Sequence, residues 1–407
     1  MNVDGMQDRT GMAPGQDKVL NRRSLLKAVG LGALGLGAGA ALGGRSDAVN
    51  ALFGGGAASA GPTSCAPASR IGDIRVVSGN LFSFLGLGGP DVAKTSDGGA
   101  TFQLTSTNNP GSTFVPYASG TNGVPGSFGI CGDHGWVMLY DAPAGVWRSA
   151  QPGGGSPILT GLAGNGASWV VTSTAGKFWY TTNNGASWSS PSNGAYLNYK
   201  SIASILSVYD LEYANGVWIG CGYDTLGVGR TFWRSTKATP TKGAKNSWFS
   251  VSGGDVAEVI GSGDGNAVSV YAVAYGGSCQ ANPNTWYGCG NFGTVWRSTD
   301  NGGSWSKWRD SGSHIHYGID VNPTTGKVLC ASGLGGVMEV SPGMTQRYNP
   351  GAKEIYEIAY CGGADWVACG DNGQIIVSHD DGATWSAATM PSGTGGTLYN
   401  QIVKLWS

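Results

Sequence analysis

From about residue 70 to its end the chain repeats one unit seven times, at a spacing of about 47 residues. No other feature narrows the possible folds as much. The clearest copies read NGVWIGCGYDTLGVGRTFWRST (215–236), NTWYGCGNFGTVWRSTDNGGSW (284–305) and ADWVACGDNGQIIVSHDDGATW (364–385). Weaker copies occupy 80–102, 126–147, 167–188 and 326–348. The spacing lies in the range of propeller blades. It makes 407 residues, long enough for two or three domains, into one domain behind a leader.

Each copy parses into strands. A first strand alternates at period two, as in Tyr209-Leu211-Tyr213, Tyr271-Val273-Tyr275, Tyr317-Ile319-Val321 and Tyr356-Ile358-Tyr360. A second opens near Trp169, Trp218, Trp286 or Trp366 and runs to a glycine turn. A third ends at Trp-Arg-Ser or its equivalent, and a closing aromatic starts a fourth. The pattern predicts an all-β, seven-bladed β-propeller of four-stranded antiparallel blades. Residues 398–406 read as one more strand, expected to pair with the segment around Ile71–Val77 and close the ring, because an open end would expose a sheet edge.

Four turns share one polar pattern. They read Thr95-x-Asp97-x-Gly99-x-Thr101-Phe102, Thr181-x-Asn183-x-Gly185-x-Ser187-Trp188, Ser298-x-Asp300-x-Gly302-x-Ser304-Trp305 and Ser378-x-Asp380-x-Gly382-x-Thr384-Trp385. Asp or Asn here accepts backbone N–H groups of its own turn, and Gly takes positive φ at little cost. The pattern resembles the Asp-box, or BNR-repeat, propellers over about four-fifths of the chain. That family includes sialidases, xyloglucan-cleaving glucanases, sortilin-like receptors and photosystem II stability/assembly factors. The resemblance implies fold and gives Asp97, Asn183, Asp300 and Asp380 structural roles at the blade periphery. The turns after Tyr140, Ser235 and Ser341 lack the pattern.

The N-terminus reads as an address. Asn21-Arg22-Arg23-Ser24-Leu25-Leu26-Lys27 precedes a Gly/Ala-rich apolar stretch and resembles the twin-arginine export signal. The stretch is short and glycine-loaded for a membrane span. Residues 1–51 are therefore expected to be a signal region, 52–69 a flexible lead-in and 70–407 the propeller, with no integral span after cleavage. The expected destination is the periplasm or the extracellular space, or the thylakoid lumen if the source is photosynthetic. Gly30-Leu31-Gly32-Ala33-Leu34-Gly35 spells a dinucleotide fingerprint, but no strand precedes it. No cofactor is expected. A net charge of −1 gives nucleic acid little to attract it.

Candidate chemistry is sparse. Cys131, Cys221, Cys289, Cys330 and Cys369 recur at one repeat position and read as small buried residues. Cys65, Cys279 and Cys361 fall outside that register and can supply one disulfide. Most tryptophans recur and read as packing, while Trp136, Trp308 and Trp406 fit the repeat less well and are candidates for surface contact. His314 and His316 alternate on one strand with Asp320, a weak candidate for a metal site. If first strands line the channel, Asp210, Glu212, His316, Asp320 and Glu357 project into it. Of these, Asp210, Glu212, Asp320 and Glu357 are candidate catalytic carboxylates for cleaving a glycosidic bond. Sialidases use three arginines and an Arg-Ile-Pro signature. Here Arg70-Ile71 is followed by Gly72. The expectation is an exported, non-enzymatic propeller that binds a protein partner. Glycoside hydrolysis through the channel carboxylates and carbohydrate binding on exposed aromatics are the alternatives.

Overall fold

The computed structural model describes residues 68–78, 91–106, 114–154, 157–189, 206–224, 231–236, 249–251, 269–312, 314–333, 336–341, 343–349, 351, 353–391 and 399–405. The signal region, Cys65 and Trp406 lie outside them. Alternation and tight glycine turns produce antiparallel strands throughout. Blade I contains β1 (Ile74–Ser78), β2 (Asp91–Lys94) and β3 (Gln103–Ser106). Blade II is β4 (Pro116–Gly120), β5 (Phe128–Gly132), β6 (Val137–Asp141) and β7 (Val146–Ala150). Blade III is β8 (Leu159–Asn165), β9 (Ser168–Ser173) and β10 (Phe178–Thr181), and blade IV is β11 (Leu206–Ala214), β12 (Val217–Asp224), β13 (Phe232–Ser235) and β14 (Phe249–Val251). Blade V is β15 (Val270–Tyr275), β16 (Trp286–Gly290), β17 (Thr294–Ser298) and β18 (Ser306–Asp310). Blade VI is β19 (His316–Val321), β20 (Val328–Ser332), β21 (Gly336–Glu339) and β22 (Thr345–Tyr348). Blade VII is β23 (Ile355–Tyr360), β24 (Trp366–Gly370), β25 (Ile375–Ser378) and β26 (Ser386–Ala387).

The last strand, β27 (Tyr399–Lys404), joins blade I in the order β27-β1-β2-β3. Ile74 pairs with Lys404 and Ser78 with Tyr399, so the tail closes the ring as the innermost strand of the first blade. Among the described residues the fourth strand of blade III is represented by one bridge between Tyr180 and Ser189. The inner strands β27, β4, β8, β11, β15, β19 and β23 pack side by side in that cyclic order around the axis.

The core lies between blades. Ile219, Phe232, Trp296 and Trp305 form one such cluster between blades IV and V, with Phe232 stacked on Trp305 at 3.8 Å. Cys131, Cys221, Cys289, Cys330 and Cys369 are fully buried free thiols on the second strands of their blades. Burial pushes the Cys131 thiol well up, which removes it from nucleophilic chemistry.

The four polar turns staple neighbouring blades. Asp97 accepts the Thr101 N–H at 2.9 Å, Asn183 that of Ser187 at 2.9 Å, Asp300 that of Ser304 at 2.8 Å and Asp380 that of Thr384 at 2.8 Å. The opening Thr or Ser hydroxyl accepts the Gly N–H, as from Gly302 to Ser298 at 2.9 Å. The residue after Asn183, Asp300 and Asp380 adopts positive φ and accepts the indole N–H of the second-strand tryptophan. The pairs are Trp169–Asn184 (2.8 Å), Trp286–Asn301 (2.9 Å) and Trp366–Asp381 (2.9 Å). Those tryptophans are therefore satisfied within their own blades.

One sequence expectation fails in an instructive way. Period-two alternation does not survive the start of the inner strands, because each carries a β-bulge, at its fourth position in β11 and at its second in the others. The extra residues are Tyr117, Thr160, Tyr209, Tyr271, Tyr317, Tyr356 and Asn400. A bulge adds one unpaired residue and switches the faces beyond it. Tyr209 thus leaves the stripe of Leu211 and Tyr213 and joins Tyr271, Tyr317 and Tyr356 in a separate cluster.

Candidate functional site

The inner strands turn toward the axis of the wheel the backbone edge that has no partner within its own sheet, so polar side chains gather there. Seven bulges set the side chains there into layers. At the bulge level, Tyr209, Tyr271, Tyr317 and Tyr356 come from consecutive blades, their ring centroids 5.5, 6.0 and 5.5 Å apart. They are 1–6% exposed, packed on one another. Tyr356 Oη donates to Asp371 at 2.8 Å, in the turn between β24 and β25. Where the bulge residue is Thr160 or Asn400, it instead donates to a carbonyl of the next blade, Val208 O and Pro116 O respectively.

The next levels hold the carboxylates. Asp210 accepts the Val273 N–H of the following blade at 3.0 Å. Glu212 accepts the Tyr275 N–H at 3.1 Å, and Asp320, two blades on, accepts the Tyr360 N–H at 2.7 Å. Counted from their bulges, Glu212 and Asp320 occupy the same position, and so do Tyr275 and Tyr360. One contact is thus used twice around the ring. Glu357 accepts the N–H of Ile358 at 3.3 Å and lies over Gly318, where a Cβ would come within 2.6 Å of its carboxylate. Small residues flank the acids at the same level. Ala274 stands between Glu212 and Asp320, and Ala272 and Gly318 between Asp210 and Glu357.

Lys404 supplies the counter-charge. From β27 it reaches past blade VII to Asp320, with Nζ 2.8 Å from Oδ2. Its side chain is 37% exposed, so the ammonium keeps contact with solvent. Burial pulls its pKa down, but the adjacent Asp320 carboxylate outweighs that and holds the ammonium above its usual range. Burial raises Glu212 to about 8, opposed by Lys404 and reinforced by Asp320 and Asp210. No sequence signal distinguished Lys404, because its role depends on a strand from the far end of the chain arriving at the axis.

The other predicted site residues disperse. His316 is fully buried with Nδ1 2.6 Å from Ser332 Oγ, and burial, with His314 nearby, lowers it to about 4. It pairs across the sheet with Ser332, on the side facing blade V, whereas Asp320 pairs with Leu329, on the side facing blade VII. The bulge at Tyr317 therefore separates the two, which corrects both the shared face expected of His316 and Asp320 and the placement of His316 in the channel. Half-buried His314 precedes the strand. Among the described residues no group of three or more His, Cys, Asp or Glu stands close enough to hold a metal ion. Trp136 packs against the cluster of Val77, Phe114 and Ile130. Trp308 has the guanidinium groups of Arg297 and Arg309 over its ring, at 5.1 and 4.8 Å from its centroid, and lies beside Tyr287. The arginines are spread out: Arg70 pairs with Asp73, Arg148 with Asp141 and Arg347 with Glu339, while Arg234 donates to Asn301 O.

No family model matches this chain, and no curated protein matches it in sequence. Among solved structures it is similar to YCF48 bound to D1 peptide, with 12% identity, a TM-score of 0.49, and 69% of this chain and 82% of that one covered. YCF48 from Cyanidioschyzon merolae gives 12% identity and a TM-score of 0.47 over 67% of this chain and 84% of that one. The WD40 propeller domain of Doa1 gives 12% and 0.47 over 69% and 84%. Likenesses this distant decide nothing about activity or partner.

Proposed function

We propose that this protein is an exported, non-enzymatic propeller whose outer surface binds a protein partner. One observation carries the reading: the channel carboxylates serve as acceptors that hold the ring together. Asp210, Glu212 and Asp320 each take a backbone N–H of the next blade, and Asp320 also binds Lys404. Glycoside hydrolysis needs one carboxyl free to give a proton and another free to attack or to activate water. A sialidase-like site also needs arginines converging on a substrate carboxylate, whereas Arg70, Arg148, Arg234 and Arg347 lie with separate partners and Arg297 and Arg309 lie against Trp308. The twin-arginine motif at Arg22-Arg23 supports export.

A hydrolase remains the second reading because of Glu212. A carboxyl raised to about 8 beside other acids has the protonation state of a general acid at neutral pH. The two readings separate on the purified protein. Binding predicts a stoichiometric complex with a protein of the exported compartment, seen by light scattering after size exclusion, and no turnover of aryl-glycosides. Turnover that Glu212→Gln abolishes while the melting temperature holds would establish the hydrolase instead.

A further inference from the structure

The polar turns fill outer grooves between blades. A Cβ on the turn glycine would strike the preceding blade in every case: Leu139 from Gly185, Ile219 from Gly302, Leu329 from Gly382 and Val377 from Gly99. Between blades IV and V the turn also has a cationic seat. Arg234, on β13, donates its Nε–H to Asn301 O at 2.8 Å. Burial lowers the Arg234 pKa, and the nearby Asp300 carboxylate opposes that. One guanidinium thus meets both the backbone carbonyl and the acid of the turn.

Arg297 is the same residue one blade on. Both arginines stand in Trp-Arg-Ser at the end of a third strand, paired with Ile219 and Tyr287, each of which follows a fully buried tryptophan. Blade VI offers Arg297 no such turn. Its connection from β21 to β22 is shorter, and Val340-Ser341-Pro342-Gly343-Met344 holds no carboxylate or amide. Glu339 is turned to blade VII, where it pairs with Arg347 and Lys327. Trp308, the bulge residue of β18, lies 5.1 Å from Tyr287 with Arg297 over its ring. Among the described residues no acceptor takes up the half-buried Arg297 guanidinium. The neighbouring outer strand carries Lys307 and Arg309 against Asp310, so the rim is basic.

We infer, on the protein-binding function proposed above, that the outer groove between blades V and VI docks an acidic turn of the partner. Its carboxylate and a backbone carbonyl take at Arg297 the places that Asp300 and Asn301 O take at Arg234. A carboxylate gives a guanidinium charge-assisted, two-pronged hydrogen bonds. Arginine and tryptophan are also the side chains that dominate protein recognition. Contact with the Trp308 ring limits the freedom Arg297 has left to lose on binding.

The probe is a fluorescein-labelled cyclic peptide with the sequence of residues 298–305, STDNGGSW. It is titrated with the full-length protein at low ionic strength and followed by anisotropy. Saturable binding is expected. Arg297→Ala in the protein, or alanine for the aspartate in the peptide, is expected to weaken it at least about tenfold, and both together little further. Arg297→Lys keeps the charge without the fork and is expected to fall between. The altered peptide is read on wild-type protein, so that arm stands whether or not a variant folds. No saturable binding, or equal binding of the two peptides, would overturn the inference. A partner complex that neither Arg297→Ala nor excess peptide weakens would put docking elsewhere and leave the binding function standing. Arg297-dependent peptide binding without any partner complex would establish the groove and remove that function.

Discussion

At the residue scale, the polar turns show how a short motif becomes an inter-blade contact. Gly302 adopts φ +79°, and a Cβ there would lie 2.3 Å from Ile219 Cδ1 of the preceding blade. Gly302→Ala is expected to cost about 1–3 kcal/mol from strain and overpacking, readable as a lower denaturation midpoint in urea. The carboxylate in the motif titrates. Hydrogen bonds from the Thr384 hydroxyl and N–H hold Asp380 at about 2, below its usual 3.8. Because the folded state prefers the charged form, its contribution is complete above pH 3.8 and is lost as pH falls toward 2. Asn183 performs the same role natively, with its Nδ2 donating to Ser187 Oγ at 2.9 Å. Asp380→Asn should therefore fold normally at pH 7 and show a shallower fall in melting temperature between pH 4 and 2. An unchanged acid limb would refute the assignment.

At the scale of the strand, the inner elements face a problem the outer ones do not. Each has one neighbour within its own sheet and an open edge toward the axis. Asp210, Glu212 and Asp320 answer it by accepting amides from the next blade. Glu212 bears a cost. Its folded pKa of about 8 exceeds its ordinary 4.5, so the stability it contributes is complete below pH 4.5 and declines as pH rises through 8. Wild-type melting temperature should thus decline on the alkaline side, and Glu212→Gln, which keeps an acceptor oxygen, should flatten that decline between pH 6 and 9. A slope unaltered by the substitution would show that Glu212 is already ionised at pH 6.

At the scale of the whole molecule, the ring is closed by a strand from the opposite end of the chain, in register with β1 from Ile74–Lys404 to Ser78–Tyr399. Truncation before Tyr399 removes an innermost strand, strips Asp320 of Lys404 and exposes β1 to the axis. Size-exclusion chromatography should then show aggregate in place of monomer; a soluble monomer with wild-type melting would mean that closure lies elsewhere. Much of this architecture was legible in the linear chain. Seven repeats and the polar turns are local patterns, since a hairpin and its turn residues interact within about twenty positions of one another, and the tail showed itself as a strand left over once the repeats were counted. The bulges were not legible, because each depends on which partner strand is longer by one residue. That single step moved Tyr209 into the tyrosine cluster and parted His316 from Asp320. Nor could spacing reveal Lys404 beside Asp320 or the amides that hold the acids, contacts between residues 40 to 84 positions apart. The sequence by itself determined the blade, its turns and the number of blades, because these arise from short-range hydrogen bonding and alternation. Only the tertiary structure decided what faces the axis, because that follows from blades meeting side by side around a closed ring.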